Sequence, residues 1–270
     1  MHMRFSFVVL TALGIVTLAG CNVRQVSVDT DEGEAPSVIA PPPAAPGSAP
    51  SAELATPAPA AMPKDAPFNE VVYVLMKDRL ARRWFCTGTL VSKTTVVTAG
   101  HCLDTMFVSY EVVAPHAAGS PRVAASKPMA APGDHEDPAV ADFGFLTLSK
   151  AIDLPAYAQL TDVTARVLGG EELSAAASVR TREEPEAPLR ATQAMAVTST
   201  HEFGYQHGFG TPLFSNGGDS GAGLFLVENG VPTHKLIGVA RQPDPARNLD
   251  QFTRIDADVL AWYAQNRAAR

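Results

Sequence analysis

The chain has 270 residues, 46% hydrophobic and 18% charged, with a formal net charge of −7. That length and apolar content exclude a wholly disordered chain, and the acidic balance argues against a nucleic-acid binder, which would need a basic face. Three cysteines are too few for a disulfide-dense scaffold, no Cys-x-x-Cys pair suggests zinc, and the odd count and the 22 prolines must be explained by position.

The chain reads as three zones. In residues 1–21, Arg4 precedes an apolar run from Phe5 to Ala19. Those 15 residues are short for a membrane span, which takes about 20, but suit the core of an export signal. The run closes on Leu18-Ala19-Gly20-Cys21 and resembles a bacterial lipoprotein signal, which implies that Cys21 is acylated and becomes the mature N-terminus. Residues 22–67 hold ten of the 22 prolines, mixed with Ala and Ser and without apolar periodicity, which predicts a disordered tether. It would reach at most about 140 Å as extended polyproline and about 40 Å as a coil.

Residues 68–270 form the predicted folded domain. Short β-rich runs recur at 71–75, 95–98, 143–148, 224–227 and 236–239, punctuated by Gly, Pro and Asn, which predicts a β barrel or sandwich. Ile255, Val259, Leu260, Trp262 and Tyr263 fall near one face of a helix over 256–267, with Asp256 as N-cap. The Ala- and Glu-rich stretch 171–191 has no clear period.

Three segments carry chemistry. They are Cys86-Thr-Gly-Thr-Leu-Val-Ser with Val97-Thr-Ala-Gly-His101-Cys102, then Ala141-Asp142-Phe-Gly-Phe-Leu-Thr-Leu, then Asn216-Gly-Gly-Asp219-Ser220-Gly-Ala-Gly. Each alone is a turn or a strand end. Jointly, and in the order His, Asp, Ser, they resemble the trypsin-like, chymotrypsin-fold serine proteases over nearly all of 68–270. The resemblance implies an all-β fold of two antiparallel six-stranded β-barrels with a C-terminal α-helix. It implies Ser220 as nucleophile, His101 as general base and then acid, Asp142 as orienting carboxylate, and the N–H groups of Gly218 and Ser220 as oxyanion hole. It also pairs Cys86 with Cys102 as the disulfide that clasps the His loop. The types suit the chemistry: a Ser hydroxyl needs a base to become nucleophilic, His titrates near neutrality, and a buried carboxylate fixes its tautomer. No metal or organic cofactor is expected, and the partners are a protein or peptide substrate and, through the lipid on Cys21, a membrane. The domain is expected to be a monomer, exported to the cell envelope on the periplasmic face or the cell surface.

The chain departs from that family at three places. No Ile-Val-Gly-Gly-like sequence opens the domain, so Asp219 needs a partner other than a freed N-terminal amine, and activation without N-terminal cleavage is expected. Phe214 stands six residues before Ser220, where trypsin-like members carry the Asp that captures Lys or Arg. Asp250 then either reaches a basic substrate side chain from another wall or, as the favoured reading, sits in an exposed loop. Arg241 is expected to pair with Asp250 and fill the pocket, and Pro243 lacks an N–H that the family offers to substrate. His135, among Asp134, Glu136 and Asp137, reads as part of a solvated charged loop, and His201 and His207 read as loop residues near a groove. A protease-fold binding protein with little or no activity and an esterase using the same triad are the alternatives.

Overall fold

Antiparallel pairing of the apolar runs closes two barrels. In the computed structural model, which describes residues 68–268, the first barrel has six strands: β1 (Val71–Asp78), β2 (Arg83–Ser92), β3 (Thr95–Thr98), β4 (Phe107–Val113), β5 (Arg122–Ala130) and β6 (Gly144–Leu148). They close in the order β1-β2-β3-β6-β5-β4. The second barrel uses β8 (Leu173–Arg180), β10 (Met195–Ser199), β11 (Gly208–Pro212), β12 (Gly223–Glu228), β13 (Val231–Asp244) and β14 (Leu249–Arg254). These run β10-β11-β14-β13-β12-β8, and pairing of β10 with β8 completes the ring. Two short strands flank it: β7 (Gln159–Leu160) lies parallel to β13, and β9 (Leu189–Ala191) pairs with β8. The helices are α1 (Thr164–Leu168) and α2 (Ala257–Ala268). Closure leaves the sheets few free edges, which suits strands this apolar.

The expected fold is therefore present, and four of the five predicted runs sit inside longer strands or match one. Phe143, the first residue of the fifth, lies just outside β6. The unassigned stretch 171–191 holds β8 and β9. Alternation is missing there because β8, Leu-Ser-Ala-Ala-Ala-Ser-Val-Arg, is buried at seven of its eight residues. A strand covered on both faces has no polar side to alternate. The signal over 1–21, its Cys21 and the tether over 22–67 lie outside the described residues.

The ends of the domain hold the barrels in place. Asp256 caps α2, accepting the Val259 N–H at 3.0 Å. Trp262 and Tyr263 of α2 then pack edge-on against Phe143 and Phe145, with centroids 5.3–6.4 Å apart, so the last helix braces the start of β6 beside Asp142. At the other end Phe68 stacks on Phe225 of β12 at 4.0 Å. The Cys86–Cys102 disulfide ties β2 to the turn after β3, with Cα atoms 6.3 Å apart. A loop of that length stabilises by about 3 kcal/mol in the chain-entropy view.

A second long-range tie joins Glu70, fully buried just before β1, to His234 Nδ1 on β13. The hydrogen bond to Glu70 holds the His234 pKa above its ordinary 6.5, against the opposing effect of burial. A pKa raised on folding stabilises in full below the unfolded value and loses that contribution as pH rises through the folded one. Thermal unfolding of the parent and of His234→Gln should therefore differ most below the ordinary His value of 6.5, and the gap should shrink as pH rises above it. A gap that is constant or grows with pH contradicts the assignment.

Candidate active site

The three chemistry-bearing segments converge on one cleft of about 410 Å³. His101 comes from a 3₁₀ turn, Gly100–Leu103, directly after β3. Asp142 precedes β6, and Ser220 lies in the loop before β12. Asp142 is fully buried and holds His101 at two points: its Oδ1 accepts the His101 backbone N–H at 2.8 Å, and its Oδ2 lies 2.7 Å from His101 Nδ1. This fixes the ring and leaves its other nitrogen as the free one, on a side chain 40% exposed. The Ser220 hydroxyl is directed at the Arg241 carbonyl, 3.5 Å away, at the outer limit of a hydrogen bond. Neither the Gly218 nor the Ser220 backbone N–H donates to another group among the described residues, and both residues line the cleft.

The loop that presents these N–H groups is held from behind. Gly218 has φ +93°, a left-handed conformation that side chains avoid, and an added Cβ would lie 2.3 Å from Phe85 and 2.9 Å from Arg180 Nε. The Gly218 carbonyl accepts the Thr87 hydroxyl at 2.9 Å and Arg180 Nε at 3.2 Å. The Asp219 carboxylate, 1% exposed, accepts the N–H groups of Arg180 and Asn216, both at 2.8 Å. Burial raises the Asp219 pKa, opposed by those two N–H bonds and by the positive Arg180. Arg180 is fully buried at the end of β8, and burial lowers its pKa to about 10, opposed mainly by Asp219, so it stays charged at neutral pH. Its guanidinium also bonds the Cys86 carbonyl and lies over the rings of Tyr73 and Phe85, at 4.9 and 5.2 Å. Asp219 thus has an internal cation and two backbone donors where the sequence left its partner open.

The expected pocket residues are placed differently. Asp250 is 2% exposed within β14, not in an exposed loop, because its carboxylate accepts the Phe214 and Ser215 N–H groups at 2.7 and 2.9 Å and the Ser215 hydroxyl. Arg241 does not pair with it. Arg241 stands at a bulge where β13 slips register against β14, and its guanidinium donates to the carbonyls of Val140, His135 and Asp137 at 3.0, 2.7 and 2.8 Å. Three carbonyls offer that fork a fuller set of acceptors than one carboxylate already engaged elsewhere. Arg241, Gln242 and Pro243 line the cleft; Phe214 does not, and stacks on Phe252 at 6.2 Å.

His135 lies in a loop whose acids Asp134, Glu136 and Asp137 are exposed, as expected, but its own ring is turned inward. Arg241 draws in the backbone of residues 135–140, and the His135 ring sits over Gly100, with Nδ1 3.7 Å from Asp142 Oδ1. A Cβ on Gly100 would lie 2.5 Å from that ring. A glycine directly before His101 was the trace of this contact in the sequence. Glu136 and Glu183 also line the cleft, and Glu183 Oε1 accepts the Gly217 N–H at 3.1 Å. His207 pairs with Asp256 at 2.8 Å, while His201 is exposed. His207 Nδ1 and the carboxylates of Asp256 and Asp258 lie within ligand distance of one another, but Arg254 Nε is 3.1 Å from Asp256, a cation where a metal would need to bind.

Solved structures share the architecture. The protease Anisep from Arthrobacter nicotinovorans is 16% identical, with 73% of this chain and 94% of that one aligned at a TM-score of 0.56. HL collagenase is 17% identical over 74% and 94%, with a TM-score of 0.61. A Glu endopeptidase is 15% identical over 75% and 92%, with a TM-score of 0.59. At these identities the likeness establishes the fold alone. No curated protein is significantly similar in sequence. The family model for trypsin matches residues 61–262, most of the chain and all three segments of the cleft, so the chain belongs to the trypsin family of serine endopeptidases.

Proposed function

We propose that the chain cleaves peptide bonds through an acyl-enzyme on Ser220 and works at the cell envelope, held there by a lipid on Cys21. The observation that carries the catalytic part is the two-point hold of the buried Asp142 on His101, in a cleft that also contains Ser220. In the proposed reaction the Ser220 Oγ bonds to the scissile carbonyl carbon as its proton passes to His101 Nε2. The resulting oxyanion is received by the Gly218 and Ser220 N–H groups. The C–N bond then breaks, His101 returns the proton to the leaving amine, and water repeats the sequence to free Ser220. Asp142 keeps Nε2 available and stabilises the imidazolium. Because Arg180 and two backbone N–H groups already attend Asp219, the Ser220 loop would be formed without a freed N-terminus.

A protein or peptide is the substrate and no metal or cofactor enters the steps. Residues 1–21 are read as the lipoprotein signal, 22–67 as the tether and 68–270 as the protease domain, exported and acting as a monomer. Lipidation has a direct test: radiolabelled palmitate should enter the protein and be lost in Cys21→Ser, and equal labelling of both would refute the anchor.

One observation favours a second reading, a protease-fold binding protein: the Ser220 hydroxyl faces the Arg241 carbonyl instead of His101. Catalytic hydrogen bonds in empty sites are often long or poorly aligned and tighten when substrate binds. A fluorophosphonate probe separates the readings. It should label the parent and not Ser220→Ala, and Ser220→Ala should lower cleavage of an unfolded protein by at least about 10⁴-fold. An unlabelled parent supports the binding protein, and labelling with ester turnover but no proteolysis supports an esterase.

The oxyanion loop has its own test. Gly218→Ala must displace Phe85 and Arg180, whereas Gly204→Ala, at a nearly identical φ of +92°, meets nothing within 4 Å. Gly204→Ala should cost only the left-handed penalty of about 1–2 kcal/mol in denaturant unfolding, with kcat unchanged. Gly218→Ala should cost more and lower kcat at least about tenfold. Equal effects of the two substitutions would contradict the packed-loop account.

A further inference from the structure

The hairpin turn between β1 and β2 is unlike the rest of the surface. Residues 77–83 read Lys-Asp-Arg-Leu-Ala-Arg-Arg, four cations and one acid in a chain of net charge −7. Of the six large hydrophobic side chains that are exposed among the described residues, four belong to this end of the first barrel: Leu80, Trp84, Met106 and Val108. Leu80 and Met106 line one hollow, and Trp84 packs edge-on at 6.1 Å against Phe107, which stands between Met106 and Val108.

The tip is built to hold these groups outward. The acid, Asp78, is 4% exposed and points in, where it accepts the Leu80 and Arg82 N–H groups at 2.9 Å, Arg82 Nε at 2.6 Å and the Trp84 indole N–H at 3.3 Å. Leu80 is thereby fixed at 74% exposure, and the indole has its polar atom satisfied by Asp78 while Trp84 as a whole is 43% exposed. Those hydrogen bonds hold the Asp78 carboxyl below its ordinary pKa, although burial alone would raise it. Arg82 is taken up by Asp78 and lies over the Trp84 ring. Lys77, Arg79 and Arg83 make no ion pair among the described residues. Asp104 is the acid at the hollow's rim, and Glu111 and Glu186 nearby are occupied by Arg122.

We propose that this tip is a membrane-contact surface, with Leu80 and Trp84 entering the interface of an anionic bilayer and Lys77, Arg79 and Arg83 set against its headgroups. Cations beside exposed Leu and Trp are the composition that binds such an interface. The remaining acidic surface is repelled by the same bilayer, so the contact also orients the domain. The choice of a bilayer as occupant rests on the envelope reading above, since a chain tethered through Cys21 by residues 22–67 stays within reach of the surface. The consequence concerns the cleft: β2 runs from Trp84 through Phe85, which abuts Gly218, to Cys86, so a docked tip holds the cleft at a fixed height and tilt.

The test reads Trp84 directly. In the full chain carrying Trp262→Phe, Trp84 is the sole tryptophan. On phosphatidylglycerol-containing vesicles its emission should shift to the blue and be quenched by lipids brominated near the headgroup, and on phosphatidylcholine vesicles it should do neither. Arg79→Glu with Arg83→Glu should weaken the anionic-vesicle response at least about tenfold and leave peptide hydrolysis in solution unchanged. Should Trp262→Phe disturb the fold, co-sedimentation of the two-tryptophan Cys21→Ser chain with the same vesicles, against its Leu80→Ser variant, gives the same answer. No shift on anionic vesicles, or a shift that survives the charge reversal, overturns the proposal. A response to polyglutamate but not to vesicles also overturns it and assigns the tip to an acidic polypeptide. A parent chain that takes up no palmitate, or takes up as much as Cys21→Ser, with the Trp84 response intact would remove the lipid anchor and keep the surface.

Discussion

A buried guanidinium organises the loop that carries Ser220. Arg180 reaches the end of β8 with no exposure, and it touches each part of the frame behind the cleft: the Gly218 carbonyl, the Cys86 carbonyl, the rings of Tyr73 and Phe85, and the field of Asp219. Burying a cation this deeply is costly unless its surroundings answer it, and removing one member of such a set typically costs about 3–5 kcal/mol. Here carbonyls, aromatic faces and a carboxylate all answer, and in doing so they fix the left-handed turn at Gly218. The left-handed turn beside Ser220 is therefore tied to the join between the barrels, because Cys86 and Phe85 lie on a strand of the first, Arg180 ends a strand of the second and Gly218 lies in the loop before β12.

A matching arrangement operates on the His101 side. The disulfide pins the residue after His101, α2 braces Phe143 and Phe145 beside Asp142, and Arg241 gathers the carbonyls of residues 135–140 so that His135 closes over Gly100. Each tie spans a large stretch of sequence. A cleft built this way has its His–Asp pair and the backbone of the Ser220 loop held by internal contacts, which is what the proposed electrostatic stabilisation would need.

The cleft residues were legible in the sequence because the chemistry admits few residue types in a fixed order. His101, Asp142, Ser220 and the Cys86–Cys102 pair followed from the resemblance that three motifs carry together, and the capping Asp256 from its place before an apolar helical face. The strands were legible where one face is polar or where β-branched runs are bounded by turns, and illegible at β8, whose small buried residues alternate with nothing. The pocket was misread for a different reason. Arg241 and Asp250 look complementary as charges, but backbone carbonyls and N–H groups compete for charged side chains, and only the fold shows which are nearby. Arg180 passed unnoticed because an arginine at a strand end is ordinarily solvated. The inward turn of the His135 ring did too, since the three acids around it form an exposed loop.

The central claim is that internal charges, and not a newly freed N-terminus, form the Ser220 loop. Intact-mass measurement of the fluorophosphonate-labelled protein tests it most directly. The account predicts stoichiometric adduct on a chain whose N-terminus lies well upstream of the folded domain, at Cys21 or before. Adduct confined to molecules cut near residue 60, with the uncut chain unlabelled, would contradict it.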